Sequence, residues 1–190
     1  LLVNLSKGKI GDLNANLLGM VVVGKILMAA LSRVDIVDEK KRRDFNLYID
    51  EFQNFTTDSI STILSEARKY RLNLTIAHQF VAQLTEKIRD AVFGNVGSII
   101  AFRVGAQDAE FLVKQFEPVF NENDLINIDN FNALVKILIN GQTSKPFNMK
   151  TLAPENGNEE LVGEIKQFSR LKYGRDRQEV EGEVLKRLRS

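Results

Sequence analysis

The sequence predicts an α/β fold, a three-layer core built on a mainly parallel sheet, with a helical C-terminal extension. Three observations predict it. Short apolar runs alternate with longer stretches of helical period over residues 1–154, which is the pattern of β-α-β units. One apolar run, Leu47-Tyr48-Ile49, passes straight into the acids Asp50-Glu51, as a strand does where it leaves a sheet. After Pro154 the stretch Glu155-Asn156-Gly157-Asn158 breaks the pattern, and two charged amphipathic segments follow, 159–173 and 178–189. Two domains are therefore expected, 1–154 and 155–190.

The elements follow in order. Residues 1–5 read as a first strand, closed by Ser6-Lys7-Gly8. Leu13, Leu17, Leu18, Val21, Ile26, Leu27 and Leu31 recur at helical spacing and predict a long, well-buried helix. A charged surface loop over 38–43 leads to a strand at 45–50. Asp58 is placed to cap the next helix, whose inner face carries Ile60, Ile63, Leu64, Ala67 and Tyr70. Its outer face carries Glu66, Arg68, Lys69 and Arg71. Residues 72–77, with β-branched Thr75 and Ile76, predict a third strand. A helical region over 80–93 ends at Gly94-Asn95. A strand at 98–102, a helix at 107–116 and a last strand at 133–139 complete the core.

Composition excludes several chemistries. The 190 residues contain no cysteine, so disulfides and thiolate metal sites are out. His78 is the single histidine, which rules out a multi-histidine site. The formal net charge of +1 gives no global basic field, so any nucleic-acid contact needs a local patch or an assembled ring. The apolar stretch 17–31 is interrupted by Lys25 and reads as shorter than the roughly 20 residues of a membrane span. No signal peptide is visible. A soluble, cytoplasmic protein is expected, and a first residue of leucine suggests a piece of a longer chain.

The acid pair carries the chemistry. Burying either charge unpaired would cost several kcal/mol, so Asp50 and Glu51 belong at the exposed carboxyl end of their strand. Two like charges ~4 Å apart repel by roughly 4 kcal/mol at an effective dielectric near 20, and a bound cation relieves that. Phosphoryl transfer from ATP uses such a pair, with one acid in the shell of Mg²⁺ and the other orienting and deprotonating water. Asp50 takes the metal role and Glu51 the base role. The plain alternative is that both merely open a solvated loop. Strands joined by a helix run parallel, so their carboxyl ends share one edge of the sheet. Ser6-Lys7, Asp50-Glu51, His78-Gln79 and Arg103 are thereby expected to converge. Gln79 could then bond the attacking water or the terminal phosphate; the alternative is a polar strand end facing water.

Gly19-Met20-Val21-Val22-Val23-Gly24-Lys25-Ile26 nearly matches a phosphate-binding loop. Ile26 replaces the hydroxyl that such a loop sets on Mg²⁺, and the run lies within a helical pattern. It is read as helix, and no other phosphate loop occurs.

Taken together, the chain resembles the TraG/TraD-like coupling ATPases of type IV secretion and conjugation, within the wider HerA/FtsK class of hexameric DNA pumps. The resemblance is carried by residues 48–55 (YIDEFQNF), 64–70 (LSEARKY) and 74–79 (LTIAHQ). Residues 94–97 (GNVG), Phe102-Arg103, Asp108-Ala109-Glu110 and the tail 169–175 (SRLKYGR) with Val180-Glu181 add to it. It implies a RecA-like core in which Asp50-Glu51 is the Walker B pair and Gln79 the nucleotide-contacting glutamine. It implies ATP and Mg²⁺ as cofactors of a parent protein whose phosphate loop lies upstream. It also implies a homo-hexamer that moves DNA and works with membrane-associated secretion-channel proteins at the cytoplasmic face of the inner membrane. Arg89 and Arg103 are the candidates to reach a neighbouring subunit's site. Arg68 and Lys69 are candidates to line a DNA channel, and the charge-balanced tail reads as a docking pair of helices. Rival readings are a helicase or AAA+ fragment, and a nucleotide-silent module that binds DNA or protein.

Overall fold

The computed structural model describes residues 1–56, 60 and 64–189. Over these residues the chain is a mixed α/β protein that divides into two units, Leu1–Thr151 and Leu152–Ser190.

In the first unit, helices α1 (Lys7–Ile10) and α2 (Asp12–Leu31) precede strand β1 (Phe45–Ile49). Strand β2 (Leu72–Ile76) pairs with β1 in parallel, Phe45 opposite Leu72 and Ile49 opposite Ile76. Helix α3 (Glu86–Asn95), strand β3 (Ile99–Ala101), and helices α4 (Ala106–Phe116) and α5 (Glu122–Ile126) follow. Strand β4 (Asn132–Lys136) is the centre of an antiparallel sheet between β3 and β7 (Phe147–Lys150). A small antiparallel pair, β5 (Leu138–Ile139) with β6 (Gln142–Thr143), lies between them in sequence.

Five expectations are corrected. Residues 1–5 form no strand; Leu1 and Leu2 are fully exposed, and among the described residues no strand pairs with this segment. The sheets are small and mixed rather than mainly parallel, because among the described residues only β1 and β2 run the same way. The expected strand at 133–139 breaks after Lys136 and is not the last, since β6 and β7 follow. Helix α2 forms as expected but buries one stripe only, Ala15, Gly19, Val23, Leu27 and Ala30, leaving Leu13, Leu17, Leu18, Val21 and Met28 exposed. The span is also longer than the sequence suggested. Residues Asp12–Asp35 are long and apolar enough to cross a membrane by length and composition, though the inner stripe packs against protein.

Two apolar clusters hold the first unit. In one, Val23, Leu27 and Ala30 of α2 meet Ile49, Phe52, Leu72, Ile88 and Val92. In the other, Ala109, Leu112, Val113 and Phe116 of α4 meet Leu125 and Leu134. Phe93 touches both clusters, and its ring sits edge-on to Phe111 at 4.8 Å. Each fully buried side chain of this size contributes about 1.5–3 kcal/mol.

The helix expected from Asp58 lies partly outside the described residues, Asp58 and Ile63 included. Residues 64–66 are helical and continue into a 3-10 turn, Ala67–Tyr70. Two arginines close that turn. Arg33 donates from Nη1 to the carbonyls of Tyr70 (2.6 Å) and Arg71 (3.2 Å), and Arg42 donates to the carbonyl of Lys69. Cations suit a helical C-terminus, where carbonyls lack intrahelical partners. The charged loop at 38–43 therefore hides one of its own charges: the Arg42 side chain is only 7% exposed.

In the second unit, helices α6 (Glu160–Tyr173) and α7 (Arg177–Arg189) match the two expected amphipathic segments, and neither contains a buried residue. Arg175 pairs with Glu183, and Arg177 with Glu181.

Candidate functional site

The site begins where β1 ends. The ladder between β1 and β2 continues past both strands, with Ala77 N–H donating to Ile49 O and Phe52 N–H donating to Ala77 O, both at 2.9 Å. Ala77 thus bonds residues 49 and 52, and the two residues between them are left out of the ladder. Those two are Asp50 and Glu51. A regular parallel ladder would leave one residue between the two bonds, so the strand carries one extra residue here and must turn sharply, and Glu51 supplies the turn with φ 51°, ψ 44° in the left-handed region. That conformation costs a non-glycine residue about 1–2 kcal/mol. Two anchors offset it. Phe52 is 1% exposed and seated in the core, and Glu51 N–H donates to Asp50 Oδ1 at 2.9 Å.

The bulge presents the Glu51 carboxylate to the end of β2. Gln79 Nε2 donates to Glu51 Oε1 at 2.8 Å, so the expected meeting of these residues across two parallel strand ends is what the structure contains. Gln53 was not foreseen. It begins the second residue of the 3-10 turn Phe52–Phe55, and its Nε2 donates to Glu51 Oε2 at 2.6 Å. Both oxygens of Glu51 therefore accept a side-chain amide. Asp50 is exposed beside them.

Lys7 also reaches this neighbourhood, not from a strand end but from α1, where its Nζ donates to Asn54 Oδ1 at 3.3 Å and lies 3.8 Å from Asp12. The other expected members are engaged elsewhere. Arg103 donates to Asn130 Oδ1 at 3.3 Å. Arg89 pairs with Glu86 and Asp90 and lies over the Phe111 ring at 5.2 Å. The convergence of four strand ends reduces to two, since 1–5 is not a strand and β3 pairs with β4.

The segment after β2 is fixed from behind. Asp108, in the first turn of α4, is the one buried charged residue among the described residues, and both its oxygens lie 3.2 Å from Val81 N–H. An acid on an otherwise apolar helix face (Ala109, Leu112, Val113, Phe116) was the available signal for it. Half-buried His78, three residues before Val81, is pushed below its ordinary pKa near 6.5 by burial, with the Asp108 charge opposing.

Among the described residues no group of three His, Cys, Asp or Glu could hold a metal by itself. Two adjacent carboxylates suit Mg²⁺ only in its usual mode, where one or two acids and a substrate's phosphates share the ion with water. Gly19 to Ile26 lies wholly within α2, and no phosphate loop forms there. Gly19 has a packing role instead: a Cβ there would meet the Phe55 ring at 2.1 Å.

Residues 44–116 match a family model described as the TraM recognition site of TraD and TraG. Among solved structures, the fold is similar to that of the bacterial conjugative coupling protein TrwBdeltaN70 in its unbound monoclinic form. The TM-score is 0.57 at 16% identity, over 70% of this chain and 36% of that one. A weaker likeness, TM-score 0.45 at 17% identity, joins 67% of this chain to 36% of VirB4 of Thermoanaerobacter pseudethanolicus. This chain thus spans only about a third of either protein. No curated protein sequence matches it. The resemblance to TraG/TraD-like coupling proteins of type IV secretion is borne out, and residues 44–116 are the segment that carries the acid pair, both glutamines and Asp108.

Proposed function

We propose that this TraG/TraD-like chain is the C-terminal part of a RecA-like, ATP-driven motor that moves DNA in conjugation or type IV secretion. The observation that carries the reading is the bulged Glu51, its carboxylate bonded by Gln79 across the ends of two parallel strands. Glu51 is the general base that takes the proton of the attacking water. Gln79, exposed at the end of β2, is the amide that leaves Glu51 for the water or terminal phosphate when nucleotide arrives. Asp50 faces solvent and would take the metal role, holding the shell of Mg²⁺. When bound, that ion would neutralise charge developing on the transferred phosphoryl group. The phosphate loop and the remaining strands of a three-layer core belong to the longer parent, as does hexamer formation on DNA beside channel proteins at the cytoplasmic face of the inner membrane. Arg89 or Arg103 would complete a neighbouring subunit's site once its present contacts are exchanged.

The test is Glu51→Gln in the full-length parent. A lost general base costs about 10²–10⁴-fold in turnover. ATP turnover should fall by at least about 100-fold while ATP binding stays. Turnover equal to wild type would remove Glu51 from the mechanism. The 190-residue chain alone should hydrolyse no ATP.

A second reading is favoured by the description of the matched family. Residues 44–116 would then be a docking surface for a TraM-like relaxosome protein, with or without turnover. Binding of such a protein to the isolated chain, unchanged by Glu51→Gln, would support it.

A further inference from the structure

We propose that Gln53 is a positioning residue that tethers the base, holding Glu51 Oε2 in place while Gln79 releases Oε1. This rests on the reading of Glu51 as the base. The two amides that grip Glu51 are not equivalent. Gln79 lies in an exposed bend after β2, whereas Gln53 is half-buried in the 3-10 turn between two seated aromatic rings, Phe52 and Phe55. The orientation of the Gln53 amide is fixed by chemistry. Its NH₂ must face the carboxylate, because reversing the group would set oxygen against oxygen. Its own Oε1 consequently points inward, where it is buried and has no hydrogen-bond partner among the described residues. A buried acceptor without a partner is destabilising, and such groups in folded proteins tend to mark function. An apolar side chain of equal length would fit this place better for stability alone. What glutamine adds is the 2.6 Å bond to Glu51, a second hold on the carboxylate beside that of the exposed Gln79.

The division of labour follows from that difference. The exposed arm, Gln79, can swing to a phosphate without disturbing packing. The inner arm, Gln53, cannot. When Gln79 leaves, Glu51 keeps one fixed bond on Oε2 and offers Oε1 to water. Without Gln53, the carboxylate would be free to rotate as soon as Gln79 departs.

Gln53→Met separates this role from packing, since methionine keeps the length of the stem and removes both the donor and the unpaired carbonyl. The 190-residue variant should melt at the wild-type temperature or higher. In the full-length parent, kcat for ATP should fall about tenfold or more, the order expected when a reacting group is misplaced by a fraction of an ångström, with KM for ATP unchanged. Gln53→Glu, which sets a like charge against Glu51, should lower kcat further at similar KM. If Gln53→Met leaves kcat intact while Glu51→Gln abolishes it, the tether is overturned and the base reading stands. If Glu51→Gln itself leaves turnover intact, the base reading fails, and the tether with it.

Discussion

Gly19→Ala and Gly24→Ala, five residues apart on α2, should affect stability differently. Replacing glycine by alanine inside a helix gains about 1 kcal/mol from backbone entropy alone. At Gly24 a new Cβ meets nothing within 4 Å, so that gain should appear in full. At Gly19 the Cβ would lie 2.1 and 2.2 Å from two atoms of the Phe55 ring and 3.0 Å from Leu5 Cδ1. Contacts that short force the ring aside, and Phe55 closes the 3-10 turn that carries Gln53 and Asn54. Overpacking of this kind costs roughly 1–3 kcal/mol, rising above that when backbone must follow. The net expectation for Gly19→Ala runs from no change to a loss of about 2 kcal/mol, against a gain of about 1 kcal/mol for Gly24→Ala. Urea unfolding of the 190-residue chain, followed by far-ultraviolet circular dichroism, resolves a difference of that size. At about 2–4 °C per kcal/mol, thermal melting should show it as well. If both variants were stabilised alike, Phe55 would not lie against α2 at Gly19, and the seating of the turn that bears Gln53 would be wrong.

Two further outcomes are expected. The pKa of His78 is lowered on folding by burial, so the unfolded chain binds its proton more readily. Its contribution to stability should be fully present above about pH 6.5 and be lost as pH falls below that value and through the lowered folded pKa; equilibrium urea midpoints across that range should slope for the wild type and flatten for His78→Gln. Arg33→Ala removes a cationic donor from the carbonyls of Tyr70 and Arg71, and should destabilise the first unit by about 1.5–3 kcal/mol in the same urea assay, with no effect if the turn is held by Arg42 alone.

How far the site could be read from sequence depended on whether each contact is local in cause. The meeting of Glu51 with Gln79 was legible because two apolar runs joined by a helix run parallel and end together. Gln53 was not, because its reach back to Glu51 depends on the left-handed turn at Glu51 itself, and no residue preference announces a glutamate there. Asp108 was legible in principle as an acid on an apolar helix face. The antiparallel grouping of β3, β4 and β7 was hidden, since alternation of side chains carries no information about strand direction. Residues 1–5 have the composition of a strand, yet a strand exists only beside a partner. Helix α2 was found, but its leucines and valines surround most of its circumference, so periodicity could not tell the packed side from the open one. The half-buried Arg42 within a charged stretch was beyond reach for the opposite reason: the partners of its side chain include backbone carbonyls, which have no letter in the sequence.

The bulge after β1 has a mechanical consequence. Glu51 is strapped to its own strand's exit by Gln53 and to the adjacent strand's exit by Gln79. Beyond the last rung at Ala77, the ends of β1 and β2 are therefore joined through one side chain. The carboxylate is thereby a clasp across the two exits, placed past the point where the backbone ladder stops.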